Sequence, residues 1–422
     1  MLDIKWVREN AQLTAERAAL KNVEVDMEEF LSLDEQRREL ITRTENLKKQ
    51  RNELSGQVGK ILKSGGDAEP IKNEVRQISD QISGDDDLLG ELDSRLRTML
   101  LYIPNLPHES VPVGKDESEN RVLREWGTKP EFGFAPKPHW EIGAELGIID
   151  FERGTKISGS GFPVYKGRGA RLQRALIDLM LDTHAANHGY TEMRVPYVVN
   201  RDAMTGTGQL PKFENDAYRI NDDDLFLIPT AEVPLTNLYR KEIINGDELP
   251  IKIMGYTPCF RREAGSYGRE GRGITRIHQF DKVELVQIVK PEDSFEALNT
   301  LLGEAESILQ ALGLHYRVLE ICTGDLGFSN CKQYDLEVWA PGMEKYLEVS
   351  SCSNFTDYQA RRADIRFRRE AGAKPEIAHT LNGSALALPR TLIAILEQYQ
   401  QPDGSVAVPP ALRDLLGDTI SR

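Results

Sequence analysis

A chain of 422 residues, 40% of them hydrophobic, is long enough for two or three domains and a sizeable core. Its formal net charge of −14 by itself argues against nucleic-acid binding, which needs positive surface for the phosphates, but the rule concerns local charge and an acidic protein can still carry a basic arm or groove. No window approaches the ~18 consecutive apolar residues of a membrane span. The opening residues 1–10 carry Asp3, Lys5, Arg8 and Glu9 in place of the apolar run of a secretory signal. The four cysteines (Cys259, Cys322, Cys331 and Cys352) are scattered without a CxxC pair, and read as reduced thiols of a cytoplasmic protein, with neither a disulfide framework nor zinc expected.

Residues 1–25 read as a short helical opening and a connector. From about residue 28, Leu33, Leu40, Leu47, Leu54 and Ile61 recur every seventh position with no proline between them, the edge of one long helix. Gly65 and Gly66 then permit a reversal, and Pro70 suits the start of a second helix. That helix repeats Ile71, Val75, Ile78, Ile82, Leu89, Leu92, Leu96 and Met99 at spacings of three and four, with Asp85 or Asp86 standing in the gap. The pattern predicts an antiparallel coiled-coil hairpin over about 28–100; some 34 residues at 1.5 Å each give an arm roughly 50 Å long. Gly84 and Gly90 predict a bend or softened stretch. The first helix is rich in Arg37, Arg38, Arg43, Lys48, Lys49, Arg51, Lys60 and Lys63, the second in Asp80, Asp85, Asp86, Asp87, Glu91 and Asp93. These charges either solvate the helices and pair across the hairpin, or leave a basic face that grips a nucleic-acid duplex by its phosphates.

Pro104, Pro107 and Pro112 end the arm and divide the chain into 1–103 and 104–422. Beyond them lie strand-like runs at 191–199, 225–230, 251–262, 274–289, 315–322, 331–341 and 345–354, with helical stretches at 168–187, 293–312 and 389–399. Strand follows strand over most of 195–355, which predicts an α+β fold on an antiparallel sheet.

The most informative segment is 259–284. Gly265, Gly268, Gly271 and Gly273 allow a close approach of backbone to ligand, and Arg269, Arg272 and Arg276 suit bidentate phosphate binding; a surface loop is the plainer alternative. Alternation predicts Arg261, Glu263, His278, Phe280 and Glu284 on one face of the sheet. A GxxxxGK[ST] loop is absent, and the glycine-rich 159–169 enters a helix without a dinucleotide fingerprint.

Phe260, Arg261 and Glu263, followed after the loop by Arg276 and Phe280, resemble motif 2 of the class II aminoacyl-tRNA synthetases. Residues 187–199, with Gly189 and Pro196, resemble motif 1; residues 381–396, with Arg390, resemble motif 3. Motif 3 departs from the general pattern: Pro389 replaces a glutamate, and Ala385 and Ala387 replace glycines. The stretches TAEVPLTNLY, FRREAGSYGREGRG, EVSSCSNFTDYQARR and HTLNGSALALPRT, together with the amino-terminal hairpin, narrow the resemblance to the seryl-tRNA synthetase family, bacterial type, over nearly the whole chain.

The resemblance implies a homodimer joined through motif 1 that charges tRNA(Ser) with L-serine using ATP and Mg²⁺, with tRNA(Sec) as a further acceptor where it exists. It implies an ATP site formed by Arg261, Arg262, Glu263, Arg276, Ile277, Phe280, Glu348, Val349, Ser350, Ser351 and Arg390. Within it Arg261 bridges the α-phosphate and the serine carboxylate, Glu263 reads the adenine amino group, Phe280 stacks under adenine, and Arg276 and Arg390 meet the outer phosphates. Glu348 and Ser351 match the magnesium-binding pair. The serine site is implied at Thr230, Ala231, Glu232, Arg261, Glu284, Asn382 and Ser384, with Glu284 and Ser384 reading the hydroxyl; taken alone, Glu284 on a strand reads equally as a structural ion-pair partner. The arm is implied to hold the tRNA, with Lys48, Lys49, Arg51, Lys60 and Lys63 as the contacts.

Overall fold

The computed structural model describes residues 1–263 and 272–422, so Gly265, Gly268, Arg269 and Gly271 of the glycine-rich segment lie outside the described residues. It comprises two compact units: residues 2–104, and residue 1 with 105–422.

In the smaller unit, two short helices, α1 (Ile4–Glu9) and α2 (Ala11–Ala19), precede the long α3 (Met27–Lys63) and α4 (Glu69–Tyr102). Asp26 caps α3 by accepting from the Glu29 amide at 2.8 Å, and Glu28 and Glu29 at its start and Lys60 and Lys63 at its end match the helix dipole. Gly65, at φ +75°, makes the reversal, and Pro70 lies in the first turn of α4. Along the seam Phe30, Leu33 and Leu40 of α3 and Ile78, Ile82, Leu96 and Leu100 of α4 are buried, whereas Leu47, Leu54 and Ile61 are only half-buried.

Asp85 takes the seam position between Ile82 and Leu89 and is itself buried, with its carboxylate in the fork of Arg43 (Nε at 2.8 Å). Arg37 pairs with Asp93, and Lys48 with Asp86 at 3.1 Å, so part of the basic set is spent across the hairpin. Lys49, Lys60 and Lys63 are exposed and Arg51 is half-buried. α4 is continuous through Gly84 and Gly90, where the sequence suggests a bend or softened stretch. Each glycine costs about 1 kcal/mol, less than the ~1.5–3 kcal/mol contributed by burying one seam isoleucine or leucine, and ion pairs flank them.

The larger unit is built on an eight-stranded sheet. Its strands in chain order are β1 (Arg121–Trp126), β2 (Thr191–Glu192), β3 (Ile251–Phe260), β4 (Gln279–Val289), β5 (Tyr316–Glu320), β6 (Lys332–Ala340), β7 (Lys345–Thr356) and β8 (His379–Ala387). The spatial order is β1-β5-β6-β7-β8-β4-β3-β2. All pairs are antiparallel except β2 with β3. Four helices complete the frame used below: α5 (His139–Glu145), α6 (Arg168–His188), α7 (Ser294–Ala311) and α8 (Leu388–Gln398). Side chains of α6, α7 and α8 pack with Val283, Leu285, Leu336, Val338, Leu347 and Leu381 into one core against one face of the sheet. Period-two alternation therefore leaves Phe280, Lys282 and Glu284 of β4 to the other face.

Two runs are shorter than the sequence suggested. Residues 191–199 split into Thr191–Glu192 and Val198–Asn200, since Pro196 has no amide for a ladder. β4 begins at Gln279, with 274–278 in turns and bends ahead of it. His278 is consequently not on the polar face with Phe280 and Glu284: its ring stacks on Phe162 at 5.3 Å, and its Nδ1 lies 3.0 Å from the Arg261 carbonyl.

Candidate active site

The polar face carries a cavity of about 340 Å³ floored by β4, β7 and β8. Three irregularities of backbone decide which side chains reach it. Glu348 and Ser351 are three residues apart and on a regular strand would face opposite sides; a bulge between β6 and β7, where Glu337 pairs with Glu348 but Leu336 with Ser350, turns both into the cavity. A second bulge between β4 and β8 pairs Lys282 with Ala387 and Glu284 with Ser384. It is accompanied by Leu386 at φ +127°, an uncommon conformation for leucine, just before α8 presents Arg390. Glu263, at φ +50°, ends the described part of the segment after β3.

At one end of the cavity is a small, deeply buried recess. Glu284 is fully buried; Asn382 Nδ2 donates to its Oε1 at 2.6 Å, Ser384 Oγ lies 3.4 Å from its Oε2, and the buried Lys282 ammonium pairs with it. Glu232, on the one-turn helix Glu232–Asn237, accepts from Gln359 Nε2 at 2.6 Å, and Gln359 in turn accepts from Thr380 at 2.8 Å. Burial, and then the charge of Glu284, push Glu232 up to about 7. Thr230 Oγ1 caps the Glu232 amide at 3.2 Å.

The wider end is lined by Arg261, Glu263, Arg276, Ile277, Phe280, Glu348, Val349, Ser351 and Arg390. The Arg261 guanidinium lies 5.1 Å from the Phe280 ring centroid, and its Nε donates to the Pro229 carbonyl at 3.3 Å. Arg276 pairs with Glu263 at 3.3 Å. Arg390 donates to the Glu348 carbonyl at 2.8 Å, with the carboxylate 3.5 Å away, and its Nε lies 3.4 Å from the Thr275 carbonyl. Ser351 donates to Glu348 at 3.0 Å. Burial opposes ionisation of Glu348, but Arg390 and Ser351 outweigh it and lower its pKa. Across the ladder from Ser351, Asp335 is pushed well above the usual carboxylate range by burial and by Glu348.

Of the residues assigned to the ATP and serine sites, three do not line the cavity, nor does Arg272, whose guanidinium lies 5.6 Å from the centroid of the Trp140 ring. Ala231 is packed with Val195, Leu235, Ile253 and Val286; the Ser350 hydroxyl is turned away and donates to the Ser384 carbonyl at 2.6 Å; Arg262 meets the Asp216 carbonyl through its amide at 3.1 Å. Sequence reasoning missed Lys282, Gln359 and Asp335. Alternation with Phe280 and Glu284 could have found Lys282; nothing in the local pattern singles out Gln359, which comes from the separate helix Tyr358–Ala363. All four cysteines are buried, and burial pushes the Cys352 thiol up, which fits packing and not reactivity. Among the described residues no group of three or more histidine, cysteine or carboxylate side chains is arranged to hold a metal ion.

Comparison with known proteins adds an independent line. Residues 1–107 match the seryl-tRNA synthetase N-terminal domain, and residues 212–399 match the tRNA synthetase class II core domain (G, H, P, S and T). The chain is 54% identical over 417 residues to the serine–tRNA ligase of Geobacter sulfurreducens and 55% over 419 residues to that of Bacillus subtilis, in each case over 99% of both chains. The crystal structure of seryl-tRNA synthetase from Pyrococcus horikoshii complexed with ATP superposes with a TM-score of 0.93 at 37% identity, covering 100% of this chain and 99% of that one.

Proposed function

The chain belongs to the seryl-tRNA synthetase family, serine–tRNA ligases built on the class II core, and from that premise we propose that it activates L-serine with ATP and transfers the seryl group to the 3′-terminal adenosine of tRNA(Ser). The observation that carries the site assignment is the joining, in one cavity, of a buried recess for a small polar side chain to a wall of three arginines.

In the first step an oxygen of the serine carboxylate attacks the α-phosphorus, the bond to the bridging β-phosphate oxygen breaks, and pyrophosphate leaves. Arg261 bridges the carboxylate and the α-phosphate, so the two reactants meet on one guanidinium that stays charged throughout. Phe280 supports the adenine, Glu263 accepts from its amino group, and Arg276 and Arg390 take the outer phosphates. Val349 and Ile277 wall the nucleotide, and Arg262 and Ser350 contribute through their backbone alone. Glu232 and Thr230 hold the serine ammonium, with Ala231 shaping the turn between them. Glu284, oriented by Asn382 and Lys282, and Ser384 read the hydroxyl. Alanine offers these buried groups no hydroxyl, and a site built to hydrogen-bond one disfavours the analogue without it by about 10⁴-fold. In the second step the terminal 3′-hydroxyl attacks the seryl carbonyl and AMP leaves. Positioning and fixed charge do the work in both steps, with no enzyme nucleophile.

Magnesium fits the donor set: Glu348 and Ser351 offer only hard oxygens, turned the same way and 3.0 Å apart. They would hold Mg²⁺ beside the ATP phosphates, where it neutralises charge on the departing pyrophosphate; zinc has no part in this reading. The hairpin residues Lys49, Arg51, Lys60 and Lys63 contact the tRNA, as does Lys48 once released from Asp86. The enzyme works in the cytoplasm as a homodimer, and tRNA(Sec) is a further acceptor where it exists. No described helix is long and apolar enough to cross a membrane. Serine-dependent ATP–pyrophosphate exchange, with alanine, threonine and cysteine as controls, followed by charging of serine tRNA, tests the proposal. Exchange with serine alone supports the site, and no exchange with any amino acid refutes it.

A further inference from the structure

Behind the cavity wall, and contributing no atom to it, lies a histidine–carboxylate pair with no solvent exposure: His139 at the start of α5 and Glu397 near the end of α8. The hydrogen bonds fix the protonation of the ring. Ile274 donates its backbone N–H to His139 Nε2 at 3.1 Å, so Nε2 is the acceptor and Nδ1 carries the proton. Nδ1 gives that proton's hydrogen bond to Glu397 Oε1 at 2.9 Å, which also accepts the His139 amide at 2.9 Å. The other oxygen, Oε2, accepts the Gly342 amide in the turn between β6 and β7 at 2.8 Å. The imidazole is therefore locked as one neutral tautomer, with an acceptor aimed at a single backbone amide.

That amide belongs to the stretch running into Arg276. Ile274 and Ile277 are anchored in the core, the Thr275 carbonyl lies 3.4 Å from Arg390 Nε, and Thr275, Arg276 and Ile277 all line the cavity. The fit is close: a Cβ on Gly273, which sits at φ +75°, would stand 2.0 Å from His139 Nε2. α8 thus holds the nucleotide wall twice, through Arg390 at its start and through Glu397 and His139 near its end. We propose that His139 and Glu397 are positioning residues for ATP, setting the 272–277 backbone so that Arg276 and Arg390 converge on the phosphates while the serine recess is left untouched. The inference rests on the activation reading above.

The test is ATP–pyrophosphate exchange on the full-length protein, with both substrates varied and folding followed by circular dichroism melts. His139→Ala is expected to raise the KM for ATP about tenfold or more and leave the KM for serine within about twofold. His139→Gln, whose amide oxygen can reach the Ile274 amide, recovers most of that loss. Glu397→Gln keeps the side-chain shape but sets a donor against a donor; it gives the same ATP-selective signature and carries the test where His139→Ala does not fold. Wild-type ATP KM in a folded Glu397→Gln or His139→Ala variant would overturn the positioning role, as would parallel rises in both KM values, the mark of general loosening. Absence of serine-dependent exchange in the unaltered protein would instead overturn the activation reading, and the positioning role with it.

Discussion

Glu232 makes serine binding depend on pH in a way that can be worked from the structure. Its carboxyl is buried, hydrogen-bonded by Gln359 and close enough to Glu284 to feel its charge; burial first and Glu284 second hold its pKa at about 7 against an ordinary 4.5. A serine ammonium placed against Glu232 needs the ionised carboxylate. From pH 6 to pH 7.5 the ionised fraction rises from roughly one tenth to roughly three quarters, so affinity for serine should rise about eightfold. Binding at pH 6 should release about 0.9 proton, readable by calorimetry in buffers of different ionisation enthalpy. Glu232→Gln should bind serine weakly and without this slope. The same group affects the free protein with a definite sign. Its folded pKa is raised, so between pH 4.5 and about 7 the folded state holds more protons than the unfolded one, and stability falls as pH rises through that window. Above pH 7 the full cost, about 3 kcal/mol, is present, and Glu232→Gln should melt higher than the parent at pH 8 without serine. A serine affinity that is flat from pH 6 to 7.5, or that keeps its slope in Glu232→Gln, would refute the placement of the ammonium on this carboxylate.

Glu284→Ala should abolish serine-dependent exchange. It also strands the buried Lys282 ammonium at a cost of about 3–5 kcal/mol, so Glu284→Ala with Lys282→Met is the control: melting should recover and activity should not. Deleting residues 30–100 should leave exchange largely intact and abolish tRNA charging; unchanged charging would remove the arm from the mechanism. Alanine at Lys49, Arg51, Lys60 or Lys63 should raise the KM for tRNA and make the salt slope shallower by about one for each phosphate the arm no longer engages. In the hairpin, Arg43→Ala should lower the helical melting transition, because it leaves Asp85 buried without its partner, whereas Asp85→Leu, which completes the apolar seam, should not. The Arg43 hydrogen bonds hold Asp85 below its usual pKa, so this pair's contribution is complete above about pH 4 and is lost as pH falls through the folded value.

The hairpin was legible because a heptad repeat is a property of one helix read along its own length. The sheet was legible as a class because alternation is equally local. What was not legible depended on irregular backbone. Spacing alone sets Glu348 and Ser351 on opposite faces of a strand, and only the bulge beside Glu348 unites them. The same alternation promised His278 to the cavity, and the late start of β4 turned it away. Asp85 looked like a gap in a repeat; its burial followed from Arg43, 42 residues earlier, which no window on α4 contains. Gln359 and the pair of His139 with Glu397 matter through partners far off in sequence, so neither carried a local signal.

The cavity's charges show how a site built to bind a polyanion can exist without one. A buried ammonium left alone is costly, yet the buried Lys282, like the half-buried Arg390 and the exposed Arg276, must be present before ATP arrives. Each is held by an opposite charge inside the same cavity: Arg276 by Glu263, Lys282 by Glu284, and Arg390 by Glu348. Under the proposed assignment these partners are themselves binding groups. When the phosphates take Arg276 and Arg390, Glu263 is released to the adenine amino group and Glu348 to magnesium, so one exchange of partners readies both ends of the nucleotide. The serine recess differs in kind. Lys282 stays with Glu284 and orients it, and Glu232, a carboxyl there with no cation in hydrogen-bond contact among the described residues, is the one whose pKa is raised to about 7. It is stored partly protonated near neutrality and ionises fully for the ammonium, whereas the nucleotide end is stored as ion pairs that open for the phosphates.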